Sequence, residues 1–169
     1  MESRFKPVKP SSLKDNAFKI IGSDWMLITA GNIGKYTMMT ASWGAMGVLW
    51  GKDVVSCVVR PTRYTYGFIE ESDNFTLCFF SEKHRKILDF CGSKSGRDVD
   101  KTKAAGLTPV KGSLGGVYFK EARLVFECKK IYFQDLDNRN FLLPEIEDNY
   151  PNKDYHRMYV GEIKKVLKG

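Results

Sequence analysis

The sequence predicts a mainly β fold, a small barrel carrying peripheral helices. Three observations predict it. Short runs of β-branched and aromatic residues recur along the chain, punctuated by Gly, Asn, Asp or Pro as strands are. Segments with helix start and stop signals are few and fall between those runs. The chain has 169 residues, enough to bury one continuous core and short for two, so residues 1–169 are expected to form a single domain.

Taken in order, the strands are Trp25 to Ala30, Tyr36 to Trp43, Val54 to Val59, Phe75 to Phe80, Val117 to Phe119, Leu124 to Phe133 and Tyr159 to Val166. So many short strands in one small domain favour a barrel, because closure removes exposed edges. Thr65 is expected to cap a helix running toward Glu71, entered from a turn at Pro61. Ser81 is expected to cap a second that runs to Cys91 and stops at Gly92. A third helix is read from Asp98 to Ala105, before Gly106, and Pro144 is expected to open a short turn near Leu143.

Composition narrows the function classes. Hydrophobic residues make up 43% and charged residues 28%, which places the chain with folded proteins rather than disordered ones. Cys57, Cys78, Cys91 and Cys128 form no CxxC pair and have no paired histidines nearby, so they read as reduced thiols, mostly inside strands, and no metal site is expected. Residues Met1 to Ser12 are polar and contain proline, with no apolar export segment, and no later run is long enough to cross a bilayer. A cytoplasmic location away from membranes is therefore expected. The net charge of +7 invites a nucleic-acid reading, but the cations are spread along the chain and the aromatics alternate inside strand-like runs, so no nucleic-acid partner is expected.

Three segments bear on chemistry. In Tyr36-Thr-Met-Met-Thr-Ala-Ser-Trp43, followed by Gly44-Ala-Met-Gly47, a strand ending in small hydroxyl residues offers donors to a flat heterocycle, with Trp43 as an apolar wall. An edge strand leading into a glycine turn explains the same residues. Arg60-Pro-Thr-Arg-Tyr-Thr65 sets two guanidinium groups and two hydroxyls between a strand end and a helix start, where backbone N–H groups and the helix dipole favour an anion. Exposed loop charges are the alternative. Cys91-Gly-Ser-Lys-Ser-Gly-Arg-Asp-Val-Asp-Lys101 is a loop of small donors and cations suited to a phosphate or a ring carbonyl, or simply a solvated connection; it lacks the order of a nucleotide-hydrolysing phosphate loop. The only histidines are His84, in the basic run Lys83 to Lys86, and His156, so histidine-based hydrolysis has little support. Chemistry carried by a bound cofactor fits better.

Together, Met38-Met-Thr-Ala-Ser-Trp43, Arg60-Pro-Thr-Arg-Tyr-Thr65 and Ser93-Lys-Ser-Gly-Arg-Asp-Val-Asp-Lys101 resemble the flavin reductase-like family that includes flavoredoxin, and the similarity runs from about Trp25 to Tyr159-Val-Gly-Glu-Ile163. The resemblance implies an FMN-binding split β-barrel, usually a homodimer with flavin near the subunit interface. It implies electron transfer from NADH or NADPH, or from a protein donor, through the flavin to a small molecule or protein partner. It places Thr40, Ala41, Ser42 and Trp43 along the isoalloxazine, and Arg60, Arg63, Tyr64 and Thr65 at the ring edge or phosphate. Ser95, Gly96, Arg97 and Lys101 would close the site. Many relatives carry Asn where Thr37 stands, and His156 matches a histidine that would face nicotinamide or flavin. Cys91 is read as a structural thiol at a helix end, with redox activity as the alternative. A flavoredoxin-type carrier that uses no nicotinamide is the main competing function; a flavin-free phosphate or haem sensor and a structural dimer are the others.

Overall fold

The computed structural model describes residues 4–169; residues 1–3 of the polar N-terminal segment lie outside the described residues. The expected mainly antiparallel architecture is present, with ten strands among the described residues instead of seven. In chain order these are β1 (Lys6–Val8), β2 (Met26–Asn32), β3 (Lys35–Ala41), β4 (Gly44–Leu49), β5 (Lys52–Val59), β6 (Asn74–Phe79), β7 (Pro109–Lys111), β8 (Val117–Phe119), β9 (Leu124–Asp135) and β10 (Arg157–Lys168). The main sheet runs β3-β2-β6-β9-β10-β5-β4, with β1 added on β10, while β7 and β8 form a separate hairpin. The ladder stays open between β3 and β4, which leaves two sheet ends.

Period-two alternation sorts the side chains onto two cores. Met26, Ile28, Met39, Phe75, Leu77, Phe126 and Tyr159 pack on one face of the coiled sheet. Leu27, Met38, Cys78, Val125 and the β8 residues Val117 and Phe119 pack on the other. Three helices cover the sheet: α1 (Tyr64–Glu71), α2 (Arg85–Ser93) and α3 (Lys101–Ala104). Ile69 of α1 belongs to the first core and Leu88 and Cys91 of α2 to the second, so β3 is gripped from both sides.

Several sequence expectations change. Gly44-Ala-Met-Gly47 is a strand rather than a turn: β4 pairs with β5, and the chain reverses at Trp50 and Gly51, whose φ values of 52° and 67° suit a two-residue hairpin turn. Thr65 does not cap α1. The helix begins one residue earlier, behind Arg63, which makes no side-chain cap bond, and Thr65 lies buried in the first turn. Ser81 precedes a short 3-10 turn at Glu82–His84, and α2 runs through Gly92 to Ser93, because Gly92 keeps helical geometry where a missing Cβ admits Thr40. The third helix shortens to Lys101–Ala104, capped by Asp100, whose carboxylate accepts the Lys103 N–H. Pro144 does open a 3-10 turn, Pro144–Asn149. No helix among the described residues is long and apolar enough to cross a membrane.

Candidate functional site

The open end of β3, the start of α1 and the loop after α2 meet at one edge of the sheet. Here Thr40, Ala41, Ser42, Trp43, Arg60, Arg63 and His156 line a cavity of about 180 Å³, with Met39 and Val58 behind them. β5 ends at Val59 and thrusts Arg60 into the same space, while β10 begins at Arg157 just after His156. Trp43 and His156 stand with ring centroids 5.2 Å apart.

His156 is 8% exposed, so a surface location for this histidine is excluded. Its Nδ1 lies 2.9 Å from the hydroxyl of buried Tyr150, and burial, helped by the nearby Arg60 charge, lowers its pKa to about 4. The imidazole is consequently neutral near pH 7, and the Tyr150 contact leaves Nε2 as the nitrogen available to the cavity.

Next to this space, sharing Met39 and Arg63, a second cavity of about 140 Å³ is lined by Tyr64, Thr65, Ser95, Gly96, Arg97 and Lys101, together with Thr62, Ser93 and Lys94. No carboxylate lines it. Among the described residues Arg63, Lys94 and Arg97 pair with no acidic group: Arg63 reaches the Gly92 carbonyl at 3.1 Å, and Arg97 stacks over Tyr64 at 5.1 Å. Thr65 is buried, yet its hydroxyl is bonded to no described residue. An uncapped helix start, three unpaired cations and an unbonded hydroxyl form a donor set for a phosphate.

Three of the expected site residues are engaged by other groups or stand apart from the strand end. Arg60 lines the first cavity, and its guanidinium donates to Asp154 at 2.7 Å and to the Asn149 carbonyl at 2.7 Å while lying over the Tyr150 ring, so it also anchors the 149–156 segment. Lys101 is buried, and its Nζ donates to the carbonyls of Met38 at 2.9 Å and Cys91 at 2.7 Å. It clamps α2 to β3 with two of its three N–H groups. Thr37 is not beside Thr40 to Trp43. It lies farther back along β3, in an adjoining cavity that shares Tyr64, Gly96 and Lys101 with the second one. Gly96 also acts by shape: a Cβ there would stand 2.6 Å from the Thr37 hydroxyl. The Thr40 hydroxyl donates to the Leu88 carbonyl at 2.6 Å, leaving Ser42 as the free hydroxyl of that strand end.

The sequence matches the flavin reductase like domain over residues 18–167. This chain belongs to that family. Among solved structures, flavoredoxin from Methanosarcina acetivorans is 24% identical, with a TM-score of 0.68 over 96% of this chain and 76% of that one. The FMN-binding domain of a flavin reductases-like enzyme from Shewanella baltica OS155 is 16% identical, with a TM-score of 0.71 over 99% and 78%. An NADH:FAD oxidoreductase from Streptomyces globisporus C-1027 is 16% identical, with a TM-score of 0.64 over 86% of this chain and 75% of that one. No curated protein matches. These likenesses show the split-barrel fold of the family.

Residues that sequence reasoning missed are Tyr150 and Asp154, which hold His156 and Arg60 in place, and Met39 and Val58 in the cavity wall. Tyr150 and Asp154 are close in space but lie far along the chain from the first two motifs, and Met39 and Val58 carry only apolar side chains that no chemical pattern marks. Cys91 is buried, with its thiol pushed up to about 11 by burial, and so is inert as a nucleophile.

Proposed function

We propose that this member of the flavin reductase-like family binds FMN and works as an oxidoreductase fed by NADH or NADPH. The observation that carries the reading is the junction of the two cavities: a carboxylate-free cradle of Arg63, Arg97, Lys94 and Thr65 opens beside a slot bounded by Trp43, Ser42 and neutral His156. That donor set fits a phosphorylated planar cofactor. Arg63, Arg97 and the start of α1 would hold the phosphate, and the Thr40 to Trp43 strand end the ring.

FMN, when bound there, would supply a two-electron acceptor for hydride from nicotinamide. The chain's own part is positional. Trp43 shields one side of the slot, Ser42 offers an unbonded hydroxyl, and His156 offers a neutral imidazole nitrogen that adds no charge beside the ring. The relative from Methanosarcina acetivorans, a flavoredoxin, together with the net charge of +7, favours an acidic protein as a second kind of redox partner. The free, buried cysteines accord with action in a reducing cytoplasm. A homodimer through the exposed β4 hairpin completes the proposal.

An anaerobic absorbance spectrum of FMN-loaded protein, before and after NADH and then NADPH, tests it. Flavin bands that bleach within the mixing time support the reductase, and bands that persist until a protein donor is added support the carrier. The variant Arg63→Ala/Arg97→Ala should bind FMN at least tenfold more weakly with an unchanged apo-protein melting temperature. Unchanged affinity would place the phosphate elsewhere.

A further inference from the structure

A fourth cavity, about 340 Å³, opens on the other side of the Thr40 to Ser42 strand end and is walled by Trp25, Ala41, Leu88 and Gly92. Its lining is mostly apolar and carries a single ionisable group, Asp89, at the exposed rim. The backbone of Trp25 has φ of 69°, a left-handed conformation that is a clear outlier for a bulky residue and stores of order 1–3 kcal/mol. It follows a π-helical turn, Lys19–Ser23, itself a rare element that concentrates at functional positions.

The indole is held in that strained position from outside. The Arg85 guanidinium lies 3.3 Å from the Trp25 ring centroid and donates to the Ser23 carbonyl at 2.6 Å. The indole packs in part against the second core and Arg85 covers its ring, so it is fixed where it walls the cavity.

We infer that this cavity is a binding site for an uncharged, planar, carbonyl-bearing aromatic ring of the quinone class, stacked on Trp25 beside the flavin site. The inference rests on the flavin reading for its meaning, since Thr40, Ala41 and Ser42 line both spaces. The chemistry selects the class. Indole, Leu88 and Ala41 present apolar surface to a flat ring. The Ser42 hydroxyl, bonded to no described residue, suits a carbonyl oxygen. Asp89 opposes an anion, and Arg85 is already engaged by Trp25 and Ser23. The volume takes one or two fused rings and not a dinucleotide.

The test is calorimetric titration of menadione into oxidised FMN-loaded protein and into FMN-free protein. Trp25→Gly removes the wall while glycine accepts the left-handed backbone without strain. One-site binding that falls at least tenfold in Trp25→Gly, with FMN affinity changed less than threefold, supports the site. Menadione affinity unchanged by Trp25→Gly overturns it, as does a parallel loss of FMN, which would make the cavity part of the flavin cradle. Should Trp25→Gly fail to fold, Arg85→Ala decides: a severalfold weaker menadione affinity supports the site, and an unchanged one overturns it. If FMN does not bind yet menadione does, with this dependence on Trp25, the flavin reading fails and the site stands.

Discussion

His156 shows how one side chain couples the site to folding. Buried against Tyr150 and beside Arg60, it holds a pKa near 4 against an ordinary value of 6.5. The unfolded chain therefore binds a proton below about pH 6.5 that the folded one refuses until about pH 4. The stability this neutral histidine supports is complete above the unfolded value and is lost as pH falls toward the folded one. Urea unfolding at pH 7 and pH 4.5 should show the wild type losing about 2 kcal/mol more than His156→Gln between the two conditions. Equal losses would mean the imidazole protonates freely in the folded state. At this scale the sequence was informative about residue type and less so about use. Arg60, Lys101 and Thr40 stand in the segments that the motifs marked, but their donors go to Asp154, to two backbone carbonyls and to Leu88. No local pattern announces such partners, because each lies 48 or more residues away along the chain, or for Cys91 on the neighbouring helix.

Elements divide by how far their residues alternate. β2, β5, β6 and β9 are legible because their apolar residues fill one or both buried faces. β4 is not, since Gly44-Ala-Met-Gly-Val-Leu49 is exposed at nearly every position and reads as a turn. β1, three residues long, is set by its pairing with β10 and not by its own pattern. The Tyr159-Val-Gly-Glu segment, which contributes to the family resemblance, has a packing cause. At Gly161 the register of β10 against β9 shifts, and a Cβ would stand 2.6 Å from the Phe75 ring and 2.8 Å from Cβ of Cys128. Both neighbours are fully buried, so neither can withdraw. Gly161→Ala should destabilise the fold by about 2–3 kcal/mol, measured by urea unfolding, with FMN affinity unaffected in the folded fraction. A loss under about 0.5 kcal/mol would show that the bulge relaxes to admit the methyl group.

At the scale of the whole molecule, the open ladder leaves an edge that a lone chain does not cover. β4 pairs on one side only, and its hairpin carries Val48 at 73% and Trp50 at 60% exposure, continued by Tyr132 at 39% on β9. Trp50 and Tyr132 already meet across this face at 5.7 Å. Exposed apolar side chains gathered at an unpaired strand edge are what natural sheets avoid unless a partner covers them. The proposed homodimer uses this face, and light scattering should give twice 19.3 kDa for the wild type at micromolar concentration. Val48→Glu/Trp50→Glu should return the mass to 19.3 kDa by burying two like charges against the partner's pair. Because the attraction is apolar, the wild-type dimer should survive 0.5 M salt, whereas docking of an acidic redox partner to the basic surface should fade there. A wild type that stays monomeric would assign the face to a different partner, and FMN affinity measured in the monomeric variant then separates the cradle's own strength from any help across the interface.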